Sequence, residues 1–169
     1  MNQTVVLGKP ILSPSPTHLF LRKSLDRLEH PSANALLTFW RDQEPKGGMR
    51  MGYDIPSRAV AKFLPHILIA EPVGDWDDAR IRLAGTSLIE RFGRDVAGDT
   101  ASHIYAENPE GASVLLKAAR RAAVNRDPGL VDLRILRDGI EVFHLETVLL
   151  PILSPDGAAT WTLVGAFRF

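Results

Sequence analysis

Five histidines, His18, His30, His66, His103 and His144, stand in a chain that contains no cysteine. Without a thiol there is no disulfide, no thiolate nucleophile, no sulfur ligand for zinc and no cysteinyl flavin adduct. The histidines show no close ligand spacing, so no metal site is expected. Ser87, Ser102 and Ser113 lack the Gly-x-Ser-x-Gly setting of an activated serine. His103 with Asp99 and Glu107 could be drawn as an acid–base cluster, but charged groups in a loop are ordinarily just solvated. The run from Gly93-Arg94-Asp95 to Gly98-Asp99 lacks the Gly-x-x-x-x-Gly-Lys order of a phosphate loop and does not directly follow a strand. Its glycines suit turns, and Arg94 and Asp95 suit hydrogen bonds to the local backbone. Arg80 and Arg82 share one face of an alternating strand and are expected to meet Asp132 across a sheet rather than an acidic ligand. The chain is therefore read as non-catalytic.

Charge and length narrow the partners. The 169 residues suit one domain, and 45% hydrophobic content supplies a sizeable core. Twenty basic side chains balance twenty acidic ones, so the excess of cations that usually neutralises phosphates is missing and nucleic acid is not an expected partner. No apolar run approaches the roughly 20 residues of a membrane helix. The start, Met1 to Leu7, has no basic opening or long apolar stretch, so it does not read as a secretory signal and a cytoplasmic protein is expected.

Residues 1–16, with Pro10, Pro14 and Pro16, read as a disordered tail. The remainder, 17–169, reads as one domain whose N-terminal extension (17–43) is helical. Its first helix is expected from Thr17, with Leu19, Leu21, Leu25 and Leu28, up to His30-Pro31. A second is expected after Ser32, carrying Leu36, Leu37, Phe39 and Trp40. Asp54-Ile55-Pro56-Ser57 opens a short apolar segment, Val60 to Leu64, that Pro65 stops. Ile67 to Ala70 and Ala79 to Ala84 form a hairpin, with Ile81 and Leu83 on one face. A short helix follows Gly85-Thr86 and ends at Gly93. Residues 93–108 read as irregular. Asn108-Pro109 opens an amphipathic helix to about Asn125, with Arg120, Arg121 and Arg126 at its C-terminal end. Three strands close the chain: Leu130–Leu136, Ile140–Leu153 after the Asp138-Gly139 turn, and Trp161–Phe169.

The last two strands are apolar on both faces. Val142, His144, Val148 and Leu150 alternate with Phe143, Leu145 and Leu149, and Trp161, Leu163 and Phe167 with Val164 and Ala166. A half-exposed antiparallel strand would alternate apolar with polar. The sheet is therefore expected to be covered twice, by the central helices and by the N-terminal helices or a partner subunit.

Two strands, short helices, a longer helix and three strands is the order of PAS domains. The chain resembles a short, stand-alone bacterial subfamily of them in Phe39-Trp40-Arg41, in Asp54-Ile55-Pro56 with Phe63-Leu64-Pro65, in Arg82-Leu83-Ala84-Gly85-Thr86, and in Phe92-Gly93-Arg94-Asp95-Val96-Ala97-Gly98. The close, Val164-Gly165-Ala166-Phe167-Arg168, fits as well, so the resemblance covers about residues 35–169. It implies an α+β fold with a five-stranded antiparallel sheet and central helices inserted between strands 2 and 3. It also implies a sensory or regulatory module that binds a small molecule or couples proteins, and that commonly dimerises. Some relatives hold haem through a histidine on the long helix, but Pro109–Asn125 contains none, so no cofactor is expected. No output segment follows Phe169, so a signal is expected to pass to a regulatory protein in trans.

The pocket, if present, is expected between the sheet's inner face and residues 88–118. It would be lined by Leu83, Phe92, Ile104, Tyr105, Leu115, Phe143, Leu145 and Trp161, side chains that could equally fill a core. Leu21, Leu25, Phe39 and Trp40 are expected at a homodimer or partner interface. The rival class is a small-cavity α+β enzyme that isomerises or hydrates ketones; the helical block between the second and third strands favours PAS.

Overall fold

The computed structural model describes residues 5–7, 18–106, 109–137 and 140–169. Its elements are β1 (Val5–Leu7), β2 (His18–Ser24), α1 (Pro31–Gln43), β3 (Ile67–Val73), β4 (Asp78–Ala84), α2 (Thr86–Phe92), α3 (Ala101–Ile104), α4 (Pro109–Asn125), β5 (Gly129–Arg137), β6 (Ile140–Leu153) and β7 (Thr160–Arg168). All strands pair antiparallel in one sheet of order β1-β2-β5-β6-β7-β3-β4. The five strands expected from sequence are β3 to β7, and the helical insert α2–α4 falls between β4 and β5 as anticipated.

The N-terminal region differs from expectation. Residues 18–24 form a strand, not a helix, and pair with β5 from His18↔Arg137 to Ser24↔Val131. Leu19 and Leu21 are two apart, which is the period of a strand and not of a helix face. The open hydrogen-bonding edge of β5 settled the choice. Leu21 therefore lies in a strand rather than on a helix face. Val5–Leu7, inside the expected tail, adds a short edge strand to β2; residues 8–17 lie outside the described residues. The helical part of the extension is α1 alone. Its cap is His30, whose Nδ1 accepts the Ser32 N–H at 3.1 Å, rather than Ser32 itself. Residues 93–108, expected to be irregular, contain the short α3, whose cap Thr100 accepts the His103 N–H.

Both sheet faces are covered from within the chain. On one, Leu36, Leu37 and Trp40 of α1 pack with Phe63 against Ile67, Ile69, Val148, Leu150, Leu163 and Phe167. At roughly 25 cal/mol per Å² of apolar surface, this layer is a main source of stability. Gly165 lets the helix come this close: a Cβ there would lie 2.6 Å from Leu36 Cδ2. On the other face, Leu116, Ala119, Ala122 and Ala123 of α4 pack on Ala70, Ala79, Val131 and Leu149. Small side chains on both layers bring helix and sheet together.

Candidate functional site

The space between the sheet and α2–α4 is where a pocket, if present, is expected. Ile81 of β4, Val96 and Ile104 form a buried cluster there, and Phe92 and Tyr105 pack against it. Burial pushes the Tyr105 phenol up to about 12, so it stays neutral. Three of the eight expected lining residues, Phe92, Ile104 and Tyr105, are thus brought together. Leu145 is buried on β6, and Phe143 lies under the Arg168 guanidinium, 4.5 Å from ring centre to Cζ. Leu115 is only partly buried, whereas its neighbour Leu116 packs on the sheet.

Leu83 and Trp161 belong to the opposite, α1-covered face. The cause for Leu83 is a β-bulge. Ile69 pairs with Leu83 but Ala70 pairs with Ile81, so Arg82 is left over and the two apolar residues of β4 point to opposite layers. One inserted residue reverses the facing of everything beyond it. Trp161 shares its face with Leu163 and Phe167, as its alternation required, but that face is the α1 side.

Further inward, α4 lies on β7 so closely that the Thr162 hydroxyl donates to the Ala119 carbonyl at 2.9 Å. Thr162 is fully buried. Between β7 and this turn of α4 the interior is occupied by the protein's own side chains, mostly alanines.

The expected interface residues divide similarly. Trp40 is not at the surface: it is buried in the α1 layer, and its indole Nε1 donates to the Pro151 carbonyl at 2.7 Å. Phe39 packs on the same layer while keeping partial exposure, and Leu25, half-buried, follows β2 and donates its N–H to the Leu130 carbonyl.

The charged groups mostly serve the scaffold. Arg82 pairs with Glu71 of β3, not with Asp132, because β4 and β5 stand far apart in the strand order. Arg80 donates to the Gly98 carbonyl. Asp132 instead holds Arg134 and His144, a histidine satisfied within the sheet. Arg94 pairs with Asp99 and donates to the Asp95 carbonyl, so Asp99 is not directed to His103; Glu107 lies outside the described residues. Glu146, almost fully buried, accepts the backbone N–H groups of Glu29 and His30 and so anchors the entry to α1. Asp78 fastens α3 to β4. Burial alone would raise its carboxyl, but hydrogen bonds from the Ser102 hydroxyl and N–H, the Ala79 N–H and Thr100 outweigh that and hold it below the usual value.

A feature missed in the sequence lies beside α3. Trp76, in the β3–β4 turn, has a φ of +62° and is buried. A bulky residue in the left-handed region is uncommon and persists only where the surroundings hold it. Trp76, Ala112 and Leu116 line a groove of about 560 Å³ between the turn, α3 and α4, with Asp77, Ser102, Lys117 and Arg120 also contributing to its lining. An aromatic residue in a turn of Gly74, Asp75, Asp77 and Asp78 was the available signal.

No helix among the described residues is long and apolar enough to cross a membrane. No curated protein matches the chain significantly. Among solved structures, an RNA-binding light-oxygen-voltage receptor is similar at 20% identity and a TM-score of 0.46, with 92% of this chain and 40% of that chain covered. The chain thus spans less than half of that receptor's length. A family model described as "PAS domain" matches residues 28–167, a stretch that takes in α1, the inserted helices and all five expected strands, and the chain belongs to the PAS domain family.

Proposed function

We propose that this PAS domain is a non-catalytic regulatory module that works in the cytoplasm through protein–protein contacts, as a homodimer and with a separate regulatory protein. PAS domains are sensory modules, and the finer choice lies between a buried ligand and surface contacts. The Thr162–Ala119 hydrogen bond carries the choice. A helix fastened to the sheet through alanines and a side chain–backbone bond leaves protein atoms where a receptor of this fold would need room. Any ligand would have to fit around Phe92, Ile104 and Tyr105 at the far end of the insert. Partial exposure of Phe39 and Leu25 supports their place in a contact surface, whereas Trp40 acts inside the protomer.

Native mass spectrometry of freshly purified protein tests the reading. The expected spectrum shows dimers of the bare chain mass. A stoichiometric small-molecule adduct would refute the contact-based mode in favour of a receptor. A monomeric mass at micromolar concentration would remove the homodimer.

A further inference from the structure

We infer that the outward face of α4, with the groove beside it, docks an acidic segment of a partner protein that carries an apolar anchor. The inference rests on the contact-based reading above and specifies the chemistry of the partner. From Ala112 to Arg126 the chain carries four cations, Lys117, Arg120, Arg121 and Arg126, and no carboxylate. The chain as a whole has a formal net charge of zero, so this is a local segregation of charge and not a general surplus. The sheet-facing side of α4 is Leu116, Ala119, Ala122 and Ala123. Lys117, Arg120, Arg121 and Val124 therefore fall on its outward side, at helical spacing, and all are exposed, Val124 to 57%.

Arg120 reaches Asp75 at 3.1 Å and Arg126 reaches Glu44 at 3.4 Å. Both are solvent-screened surface pairs and readily exchange for an incoming carboxylate. Lys117 and Arg120 also line the groove that contains Trp76, Ala112 and Leu116. Apolar recess and cationic face are thus continuous. That surface matches an apolar side chain flanked by aspartates or glutamates, with Val124 extending the apolar contact. A nucleic acid fits less well. The formal net charge of zero gives no general attraction for a long polyanion, whereas a short peptide needs only the local cations.

Fluorescence anisotropy of the full chain tests this with three probes: a labelled peptide with one leucine flanked by glutamates, its lysine-flanked counterpart, and a uridine-rich RNA oligonucleotide. The acidic peptide should bind and the other two should not. Lys117→Glu combined with Arg121→Glu should weaken binding about tenfold or more, whereas Arg58→Glu, an exposed charge on the α1 side, should leave it within about twofold. Lys117→Gln with Arg121→Gln, a milder pair, should give an intermediate loss with an unchanged melting temperature. Carbodiimide coupling should join the peptide to Lys117. Equal binding by the double variant, coupling centred on Lys46 or Lys62, RNA binding in place of peptide binding, or no binding at all would overturn the assignment. Those results with a bare chain mass leave the contact-based reading standing and remove only this surface; a stoichiometric small-molecule adduct removes the reading itself.

Discussion

Replacing Gly85 by alanine isolates a single packing contact at the junction of β4 and α2. Gly85 has φ −72° and ψ 159°, a backbone that alanine adopts without strain. A Cβ there would lie 2.0 Å from the Leu64 carbonyl oxygen, 2.4 Å from that of Pro65 and 2.5 Å from the Pro65 carbonyl carbon. All three are backbone atoms of the turn before β3. Gly85 also donates its N–H to Ile67 O at 2.8 Å, so the strand end cannot retreat without losing that bond. Overpacking against mobile side chains costs about 1–3 kcal/mol, and a rigid backbone neighbour puts this case at the upper end or beyond. The reduced freedom of the unfolded chain returns about 0.4–1 kcal/mol. The net loss is about 2–3 kcal/mol, or roughly 4–12 °C in melting temperature for a chain of this length. Urea unfolding followed by the fluorescence of the buried Trp40, Trp76 and Trp161 measures it. Gly93→Ala is the control: φ is +77° with open space around it, so only backbone strain of about 1–2 kcal/mol is expected. If Gly85→Ala unfolds within about 0.5 kcal/mol of the parent, the turn at Leu64–His66 is not packed on Gly85 and the steric reasoning fails.

Thr162→Val keeps the shape of the side chain but removes the bond to Ala119 O, and should cost about 1 kcal/mol in the same assay; no change would mean that α4 is not fastened there. Glu146→Gln keeps one acceptor oxygen but places an amide N–H₂ against one of the two backbone N–H groups, of Glu29 or His30, and should cost about 1.5–3 kcal/mol, with lowered protection of the α1 entry in hydrogen exchange as the readout. His66 lies 5.2 Å from the Phe167 ring, and burial, the Arg91 guanidinium and His30 hold its pKa below 6.5. The unfolded chain then binds more protons in the window below 6.5, so the stability from this group is complete above that pH and is lost as pH falls through the folded value. The fall in urea midpoint between about pH 7.5 and about pH 5.5 should therefore shrink in His66→Gln, and an unchanged fall would refute the role of His66.

Much of this architecture was legible because it is written in short-range pattern. The amphipathic helix from Pro109, the turn at Ser154-Pro155-Asp156-Gly157 and the helix stop at Gly93 each depend on neighbours a few residues away; Asn108, the expected cap, lies outside the described residues. The double apolar pattern of Phe143 to Leu150 likewise announced two covering layers, and α1 and α4 supply them. Part of the site was legible too: Phe92, Ile104 and Tyr105 do meet, since they flank one short insert. Leu83 was misplaced because a bulge leaves no periodic mark in seven residues. Trp40 was taken for an interface residue because an aromatic helix face looks the same whether it meets another chain or its own sheet.

Composition and local spacing alone determined that this chain has no thiol chemistry, that it carries no formal net charge, and that two strands, a helical block and three strands follow one another. Three things were decided only by tertiary structure. Residues 18–24 became a strand because β5 offered an unpaired edge. Trp76 took a left-handed backbone because its ring is held against α4. The cations of α4 face outward because its alanines are held against the sheet by residues of other elements, Thr162 among them, 43 positions from Ala119. Each is a choice between local conformations of similar energy, and a distant neighbour supplies the few kcal/mol that decide it.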